Sequence, residues 1–549
     1  MPNRKIYFLL FILFTTCTMY AQLPTGPEIA WQRCYGGSGL DFFTDAITTS
    51  DGGVLASIKA SSDYGGSEGI PSSSSSIIKF NNTMEVEWQQ FSGYDTCQFT
   101  PYKIFELESS DFIYGGYSGS LCEDYHGNSD FGIMKMNNLG NKLWQKSYGG
   151  PGTDAFESFL ATADGGFLLS GRSSAAGGDI PFHYPGGAGD DDAIVIKTDS
   201  LGEIIWVKVL GGTGDDGPLG DIVENERGYY IINIGAHSND YDLAESGISG
   251  DKRWIVKLDS LGNIVDESFM SGTLDLNTYT NDMIIPYKNG FLIAGRGNAT
   301  SPLYPTTPEH AMEEGAIAIF NENLELIQFK QWGGSESDGF RRVIRDDAGN
   351  FYFIGAAASP DYDLPGNYNN GNQYDYWLFA TDSNFNTLWS RNFGGSDPCG
   401  DLACEAFRGD ILIKNNMLYA FIKNTIPDTF PDFDIECGHE RNFYFETDAW
   451  LVAFDLTTVE IIEPETTQPP LFEIYPNPAG NEITIKNNTE GKQYYIKIQD
   501  VAGRKIYNEA TYINEEAKIN SEYFSPGLYI ISIADKAKML FTTQIIIAQ

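Results

Sequence analysis

The chain has 549 residues, more than one ordinary hydrophobic core holds, so we expect more than one structural unit. Acidic side chains outnumber basic ones by 75 to 35, and the formal net charge is -40. A surface with this charge repels nucleic acid and anionic lipid, which excludes partners of both kinds.

The first residues predict an export signal. Arg4-Lys5 precedes an apolar run over residues 6–14, and small and polar residues follow through Ala21. This pattern is typical of a secretory signal peptide, which we place at residues 1–21. The apolar run is shorter than the roughly 20 residues that a membrane-spanning helix needs. We therefore expect a protein that is secreted, extracellular or on the outer-membrane surface, with no membrane-spanning segment.

Between Trp31 and Asp455 one pattern recurs about every 60 residues. Each copy has an apolar strand that ends in Gly-Gly, an Asp-rich turn, a second strand, a Gly-marked turn and two further strands. One of these strands, written DAIVIK in the clearest copy, identifies seven copies. It begins at Ser76, Phe131, Asp192, Arg253, Gly315, Tyr376 and Ala449.

The repeat predicts an all-β fold with a seven-bladed β-propeller over residues 22–458. Periods of this order are typical of solenoids, propellers or arrays, and four short strands per copy match a propeller blade. The strand at 194–196 is apolar on successive residues, so both of its faces must be buried between neighbouring blades. The seventh copy lacks its last strand, so we expect the strand at Trp31 to complete it and close the ring.

An aspartate follows the Gly-Gly signal in four copies, each time four residues after the second glycine. These residues are Asp41, Asp154, Asp216 and Asp338. Because they recur in register with the fold, we interpret them as turn and capping residues. The alternative is an acidic ring that binds Ca²⁺ on one face. The sequence suggests no other cofactor, since it has no nucleotide, flavin or haem motif.

Six cysteines remain after the signal is removed, which permits three disulfides in an exported protein. Equivalent positions in two repeats predict the bridges Cys97–Cys122 and Cys399–Cys437. Cys34 and Cys404 are left as a candidate third pair near the ring closure, and the sequence does not determine their pairing. Buried free thiols are the alternative for all six.

The loop before the recurrent strand varies most between copies and carries aromatic residues. By repeat symmetry these loops emerge from one face, and insertions at one position per repeat usually build a binding face. Aromatic rings beside amides and carboxylates suit a polysaccharide or a protein ligand, and simple packing of the loops is the alternative. The candidate ligand-face aromatics are Phe182, Tyr184, Tyr304, Tyr362, Tyr368, Tyr374, Phe430 and Phe433.

Segment 459–471 is rich in Pro, Thr and Glu and is interpreted as a linker. Alternating strands beyond it predict a small β-sandwich over residues 472–549. Its motifs YPNP, DVAGRKIY and SPGLYI resemble the type A C-terminal sorting domain of the type IX (Por) secretion system. This resemblance implies that the type IX secretion machinery exports the protein. It rests on Tyr475, Pro476, Asn477, Pro478, Asp500, Gly503, Gly527 and Tyr529.

A sorting domain specifies only an export route, so the propeller must carry any further activity. The sequence contains no sialidase-type Asp box and no metalloprotease motif. This favours a non-catalytic binding or adhesion module. The alternative is a secreted glycan-acting hydrolase or lyase with carboxylates in the propeller cleft, because such carboxylates can be distant in sequence.

Overall fold

The computed structural model describes most of the chain after the predicted signal peptide. The described residues are 26–37, 39–60, 75–92, 97–119, 122, 124–187, 190–246, 252–270, 283–298, 313–364, 374–395, 409–425, 434–438, 447–459, 472–476, 479–488, 492–500, 504–535 and 538–547. The signal peptide and all but the first residue of the predicted linker lie outside these ranges.

The first half of the propeller contains β1 and three four-stranded blades. Strand β1 spans Glu28–Tyr35. Blade 1 consists of β2 (Asp41–Thr48), β3 (Val54–Ala60), β4 (Ser75–Phe80) and β5 (Val86–Ser92). Blade 2 consists of β6 (Phe99–Glu106), β7 (Phe112–Ser118), β8 (Asp130–Met136) and β9 (Lys142–Tyr148). Blade 3 consists of β10 (Asp154–Ala161), β11 (Phe167–Ser173), β12 (Asp192–Thr198) and β13 (Ile204–Leu210).

The second half contains four further blades and two short 3₁₀ helices (Tyr241–Leu243 and Leu456–Thr458). Blade 4 consists of β14 (Asp216–Glu224), β15 (Tyr230–Ala236), β16 (Lys252–Leu258) and β17 (Ile264–Met270). Blade 5 consists of β18 (Met283–Tyr287), β19 (Gly290–Asn298), β20 (Glu313–Phe320) and β21 (Leu326–Trp332). Blade 6 consists of β22 (Asp338–Arg345), β23 (Phe351–Ala357), β24 (Asp375–Thr381) and β25 (Thr387–Phe393). Blade 7 adds β26 (Asp410–Lys414), β27 (Met417–Thr425) and β28 (Thr447–Asp455).

The C-terminal domain is a β-sandwich of two antiparallel sheets, ordered β29-β30-β33 and β32-β31-β34-β35. Alternate isoleucines of both sheets, including Ile483, Ile496, Ile531 and Ile545, meet in one buried core. This inward and outward alternation is the pattern that the sequence predicted. The strands are β29 (Phe472–Tyr475), β30 (Glu482–Asn487), β31 (Lys492–Asp500), β32 (Lys505–Ile513), β33 (Glu516–Asn520), β34 (Gly527–Asp535) and β35 (Lys538–Ile547).

The first strand closes the ring, as predicted. Blade 7 has the order β1-β28-β27-β26, and Cys34 of β1 lies opposite Trp450 of β28. The indole of Trp450 donates a hydrogen bond to Gln32 Oε1 over 2.9 Å. Blade 1 packs on blade 7 through Phe43 and Phe421, whose rings are 5.1 Å apart. The all-β class, with a seven-bladed propeller followed by a small β-sandwich, is confirmed.

Blade strands are apolar on both faces because each blade is covered on both sides. In blade 6, Phe340 and Phe353 pack toward Leu292 and Ile317 of blade 5. The opposite face of the same blade packs on blade 7 in a separate cluster. Burial of one such phenylalanine side chain contributes about 1.5–3 kcal/mol, so the ring depends on contacts between sheets that are distant in sequence.

The disulfides correct one predicted pairing. Cys97–Cys122 forms as expected, but Cys437 bonds to Cys34 and not to Cys399, and Cys34 is therefore not the partner of Cys404. The reason is the closure itself, because β1 supplies the outer strand of blade 7 beside the loop that carries Cys437. The same loop is held there by Gln32 Nε2, which donates to Asp434 O over 2.8 Å. Cys399 and Cys404 lie outside the described residues.

Removal of the closing disulfide tests how strongly it holds the ring. The bridge Cys34–Cys437 spans 403 residues and Cys97–Cys122 spans 25. Chain-entropy estimates give roughly 6 kcal/mol for the long bridge and about 3.5 kcal/mol for the short one. We expect the Cys34→Ser/Cys437→Ser variant to melt at a lower temperature than the Cys97→Ser/Cys122→Ser variant in calorimetry. Equal melting temperatures for the two variants would contradict this role.

Candidate functional site

The variable loops join the second and third strands of each blade and share one face with the Gly-Gly connectors between blades. We call this the long-loop face, and the opposite one the tight-turn face. In blade 3 the amide of Gly149 donates to Asp179 Oδ2 over 3.1 Å, and the amide of Asp179 donates to Gly149 O over 2.8 Å. Three other loops repeat this reciprocal anchor, in the pairs Gly211–Asp242, Gly333–Asp363 and Gly394–Asp434.

An apolar residue directly after each anchoring aspartate is buried. Ile180, Leu243, Leu364 and Ile435 are all at most 5% exposed. The loops are therefore fixed by a polar and an apolar contact at their bases. Sequence reasoning missed this anchor, although the repeated tetrapeptide DYDL at 240–243 and 361–364 was a signal for it.

The four recurrent aspartates hold the second glycine of each connector. Asp154 Oδ2 accepts from the amide of Gly150 over 2.7 Å, and Asp41, Asp216 and Asp338 accept equivalent bonds over 2.8 Å. The predicted turn role is confirmed. The first glycine is required sterically, since Gly211 has φ of +151° and a Cβ there would lie 2.9 Å from Asp216 Oδ2.

Carboxylates of two neighbouring blades face each other at these connectors. Asp130 Oδ1 and Asp154 Oδ2 lie 2.9 and 2.4 Å from the position that a Cβ of Gly149 would take. Burial raises the pKa of Asp154 to about 6 and also raises the pKa of Asp130. Among the described residues, no group of three or more His, Cys, Asp or Glu side chains is arranged to hold a metal ion. Calcium binding by these carboxylates stays a prediction.

Three aromatic side chains form a cluster on the long-loop face, which we call the aromatic patch. Tyr184 lies 5.3 Å from Phe182 and 4.9 Å from Tyr241, measured between ring centroids. Phe182 is 45% exposed and Tyr241 is 52% exposed, while Tyr184 is half-buried. The Tyr184 hydroxyl donates to Asp242 Oδ2 over 3.0 Å, and this bond ties the loops of blades 3 and 4 together.

The sequence predicted two members of the patch and missed Tyr241, which belongs to blade 4 and its DYDL turn. Tyr362 occupies the same place in the blade 6 turn and is 42% exposed. Tyr374 is half-buried and packs against the core between blades 6 and 7. The other candidate aromatics, Tyr304, Tyr368, Phe430 and Phe433, lie outside the described residues.

The propeller axis is lined by charged side chains from the innermost strands. A β-bulge interrupts that strand in blades 1, 2, 3, 4 and 6 and turns additional residues toward the axis. The cavity there has a volume of about 10 Å³, which is space for about one water molecule. It is lined by Thr44, Tyr102, Lys103, Glu157, Gly220, Asp221 and Arg342.

Two axial carboxylates have opposite pKa shifts. Burial raises the pKa of Asp45 well above its usual range, although Lys103 opposes this from 3.9 Å. Burial acts in the same direction on Asp221, but Lys103 at 3.0 Å and Arg342 outweigh it and lower the pKa. An acid and a base are therefore close together at the axis, around a space too small for a sugar ring.

A wider depression of about 860 Å³ lies on the tight-turn face between blades 1, 6 and 7. It lies beside a short turn. Asn415 and Asn416 alone join β26 to β27, and both residues have positive φ. The equivalent turn of blade 6 has five residues, 346–350. No predicted ligand-face aromatic within the described ranges lines this depression.

The sorting motifs lie on the sandwich strands and their turns. Tyr475 ends β29, and its hydroxyl donates to Glu516 Oε1 over 2.7 Å. Pro476 follows it, Asp500 ends β31 and Gly527 begins β34. The Tyr529 hydroxyl donates to Ser525 O over 2.7 Å. Asn477, Pro478 and Gly503 lie outside the described residues.

Residues 473–548 match the family described as a secretion system C-terminal sorting domain. The chain therefore carries a type IX sorting domain and is exported by that route to the cell surface or the medium. No helix within the described ranges combines the length and apolar character needed to cross a membrane. The match identifies the C-terminal domain and leaves the propeller unassigned.

Several solved structures are similar to the chain at low sequence identity, and no curated protein matches it. A protein of unknown function from Dyadobacter fermentans has a TM-score of 0.41 and 8% identity, over 78% of this chain and 99% of that chain. The Trypanosoma rangeli sialidase has a TM-score of 0.35 and 7% identity, over 85% and 86%. Drosophila Plexin A has a TM-score of 0.35 and 10% identity, over 79% and 88%.

The carboxylate pairs predict that stability falls as pH rises. Asp154 has a folded pKa of about 6, above its usual value, so the folded state holds its proton longer than the unfolded state. The resulting stabilisation is complete below the unfolded pKa and is lost as pH rises through about 6. We expect the melting temperature of the Asp154→Asn variant to fall less than that of the wild type between about pH 5 and pH 7.5.

Asp164 provides a matched control because its pKa is shifted the other way. Burial opposes its ionisation, but Thr162, the Gly166 amide and Lys197 lower the pKa. Asp164→Asn should therefore reduce stability at neutral pH and leave the decline above pH 5 in place. A wild-type melting temperature that rises steadily from pH 5 to pH 7.5 would refute the assignment.

Proposed function

We propose that the protein is an exported binding module whose ligand, a polysaccharide or a polypeptide, docks on the long-loop face at the aromatic patch. The observation that carries the proposal is the exposure of Phe182 and Tyr241 on loops that are anchored at their bases. Exposed rings on fixed loops supply contact area without a large ordering cost on binding.

The anchors support a preorganised site. Asp179 and Asp242 hold the loops of blades 3 and 4 to the connectors, while Ile180 and Leu243 are buried beneath them. The bond from Tyr184 to Asp242 joins the two loops. A ligand that covers Phe182 and Tyr241 would therefore meet rings whose positions are set before it arrives.

Alanine substitution of the two exposed rings tests this site. We expect the mature exported protein to bind members of a combined glycan and peptide array without forming product. The Phe182→Ala/Tyr241→Ala variant should lose at least about tenfold in affinity, because aromatic anchors carry much of the binding energy of an interface. Tyr362→Ala, in the equivalent turn of blade 6, is the matched control and should bind normally. Unchanged affinity in the double variant would reject the site.

A secreted glycan-acting hydrolase or lyase is the second candidate function. It is favoured by the opposite pKa shifts of Asp45 and Asp221, because an acid and a base with separated pKa values suit general acid–base catalysis. The small volume of the axial cavity opposes it. If this candidate is correct, turnover of polysaccharide should be lost in both Asp45→Asn and Asp221→Asn. Turnover that persists in both variants would remove the axis as its site.

A further inference from the structure

We infer that the aromatic patch takes the positively charged side chains of a lysine- or arginine-rich polypeptide. This inference rests on the proposed function, because it names the ligand class for the same site. It follows from the charge around the patch and from the angles between its rings.

The charged residues of the segments that build and surround the patch include no lysine or arginine. These segments are residues 178–187, 190–192, 211–216 and 236–246. Their acidic residues are Asp179, Asp190, Asp191, Asp215, Asp240, Asp242 and Glu245, together with the buried Asp192 and Asp216. Complementary charge accelerates association and selects partners, so this surface favours a cationic ligand and repels an anionic glycan.

Basic side chains near these segments are buried and engaged. Lys252 is fully buried and donates to Asn239 Oδ1 over 3.1 Å. Arg172 has a side chain only 13% exposed, 3.7 Å from Glu157 Oε1. Neither cation projects into solvent beside the patch, so the negative field of the loops acts on an approaching ligand.

The carboxylates closest to the rings are held in place by the loops themselves. Asp240 accepts from the Thr213 amide over 2.9 Å and from the Thr213 hydroxyl over 2.8 Å. Asp242 accepts from Tyr184 and from the amide of Gly211. Tyr241 lies between these two acidic residues in the chain, so their negative charge would add to the attraction of its ring for a cation.

Ring geometry favours separate compact cationic groups over a stacked oligosaccharide. Phe182 and Tyr184 are inclined at 85°, and Tyr184 and Tyr241 at 37°. Rings at these angles share no common plane on which several consecutive sugar rings could stack. They do present separate faces to an ammonium or guanidinium group, which binds within about 6 Å of a ring centroid.

The test measures binding of labelled oligolysine, oligoglutamate and an uncharged Gly/Ser peptide to the mature exported protein by fluorescence anisotropy. We expect oligolysine alone to bind, and to lose about tenfold or more in affinity between about 50 and 300 mM salt. General attraction to a strongly acidic protein would give a similar salt response. Ring variants that leave the charge unchanged separate this attraction from binding at the patch.

Phe182→Ala/Tyr241→Ala should weaken oligolysine binding at least about fivefold, and Tyr362→Ala should leave it unchanged. Equal affinity for oligolysine in the wild type, the double variant and Tyr362→Ala would overturn the inference. The attraction would then come from the overall charge of the protein and not from the patch. The double variant could instead lose binding of a neutral polysaccharide, or of the amino-polysaccharide chitosan, while its affinity for oligolysine is unchanged. That result would also overturn the inference but would preserve the proposed function. If the double variant keeps its affinity for every ligand, the proposed function fails as well.

Discussion

Pairing of β1 with β28 is the constraint on which the rest of the molecule depends. It joins the two ends of the propeller, so that blade 1 packs on blade 7 and each blade is covered on both faces. Because every blade repeats the same antiparallel strand order, every loop between a second and a third strand lies on the same side. Cys34–Cys437 adds a covalent bond at this junction. Closure thus converts a linear repeat into a disc with two chemically different faces.

The Gly-Gly connectors between blades fix the positions of the surface loops. One glycine amide binds the recurrent aspartate of the next blade and the other binds an aspartate of the adjoining long loop, as Gly150–Asp154 and Gly149–Asp179 do. Several acidic groups therefore meet where blades join. Burial raises the pKa values of these groups, and neighbouring carboxylates add to the shift. The excess of acidic residues in the adjoining loops gives them a negative field. The aromatic patch lies in this field, which links the architecture of the blades to the proposed choice of ligand.

The sequence predicted the features that repeat, because repetition shows which residues the fold requires. It predicted seven blades, closure by the first strand, the turn role of Asp154 and the bridge Cys97–Cys122. It failed for Cys437, whose partner comes from the other end of the chain through closure and not from the same repeat. Tyr241 was missed because its contact with Tyr184 joins loops of different blades. The axial pairing of Lys103 with Asp221 was missed because the bulges that turn residues inward leave no periodic pattern.

Hydrogen–deuterium exchange of the mature protein, with and without saturating oligolysine, tests most directly the claim that ligand docks on the long-loop face. Docking at this face predicts slower exchange in segments 178–187, 190–192 and 236–246, which carry the aromatic patch. It predicts no change in the turns 199–203 and 259–263 on the opposite face. Protection confined to those turns, or to the depression around Asn415 and Asn416, would contradict it.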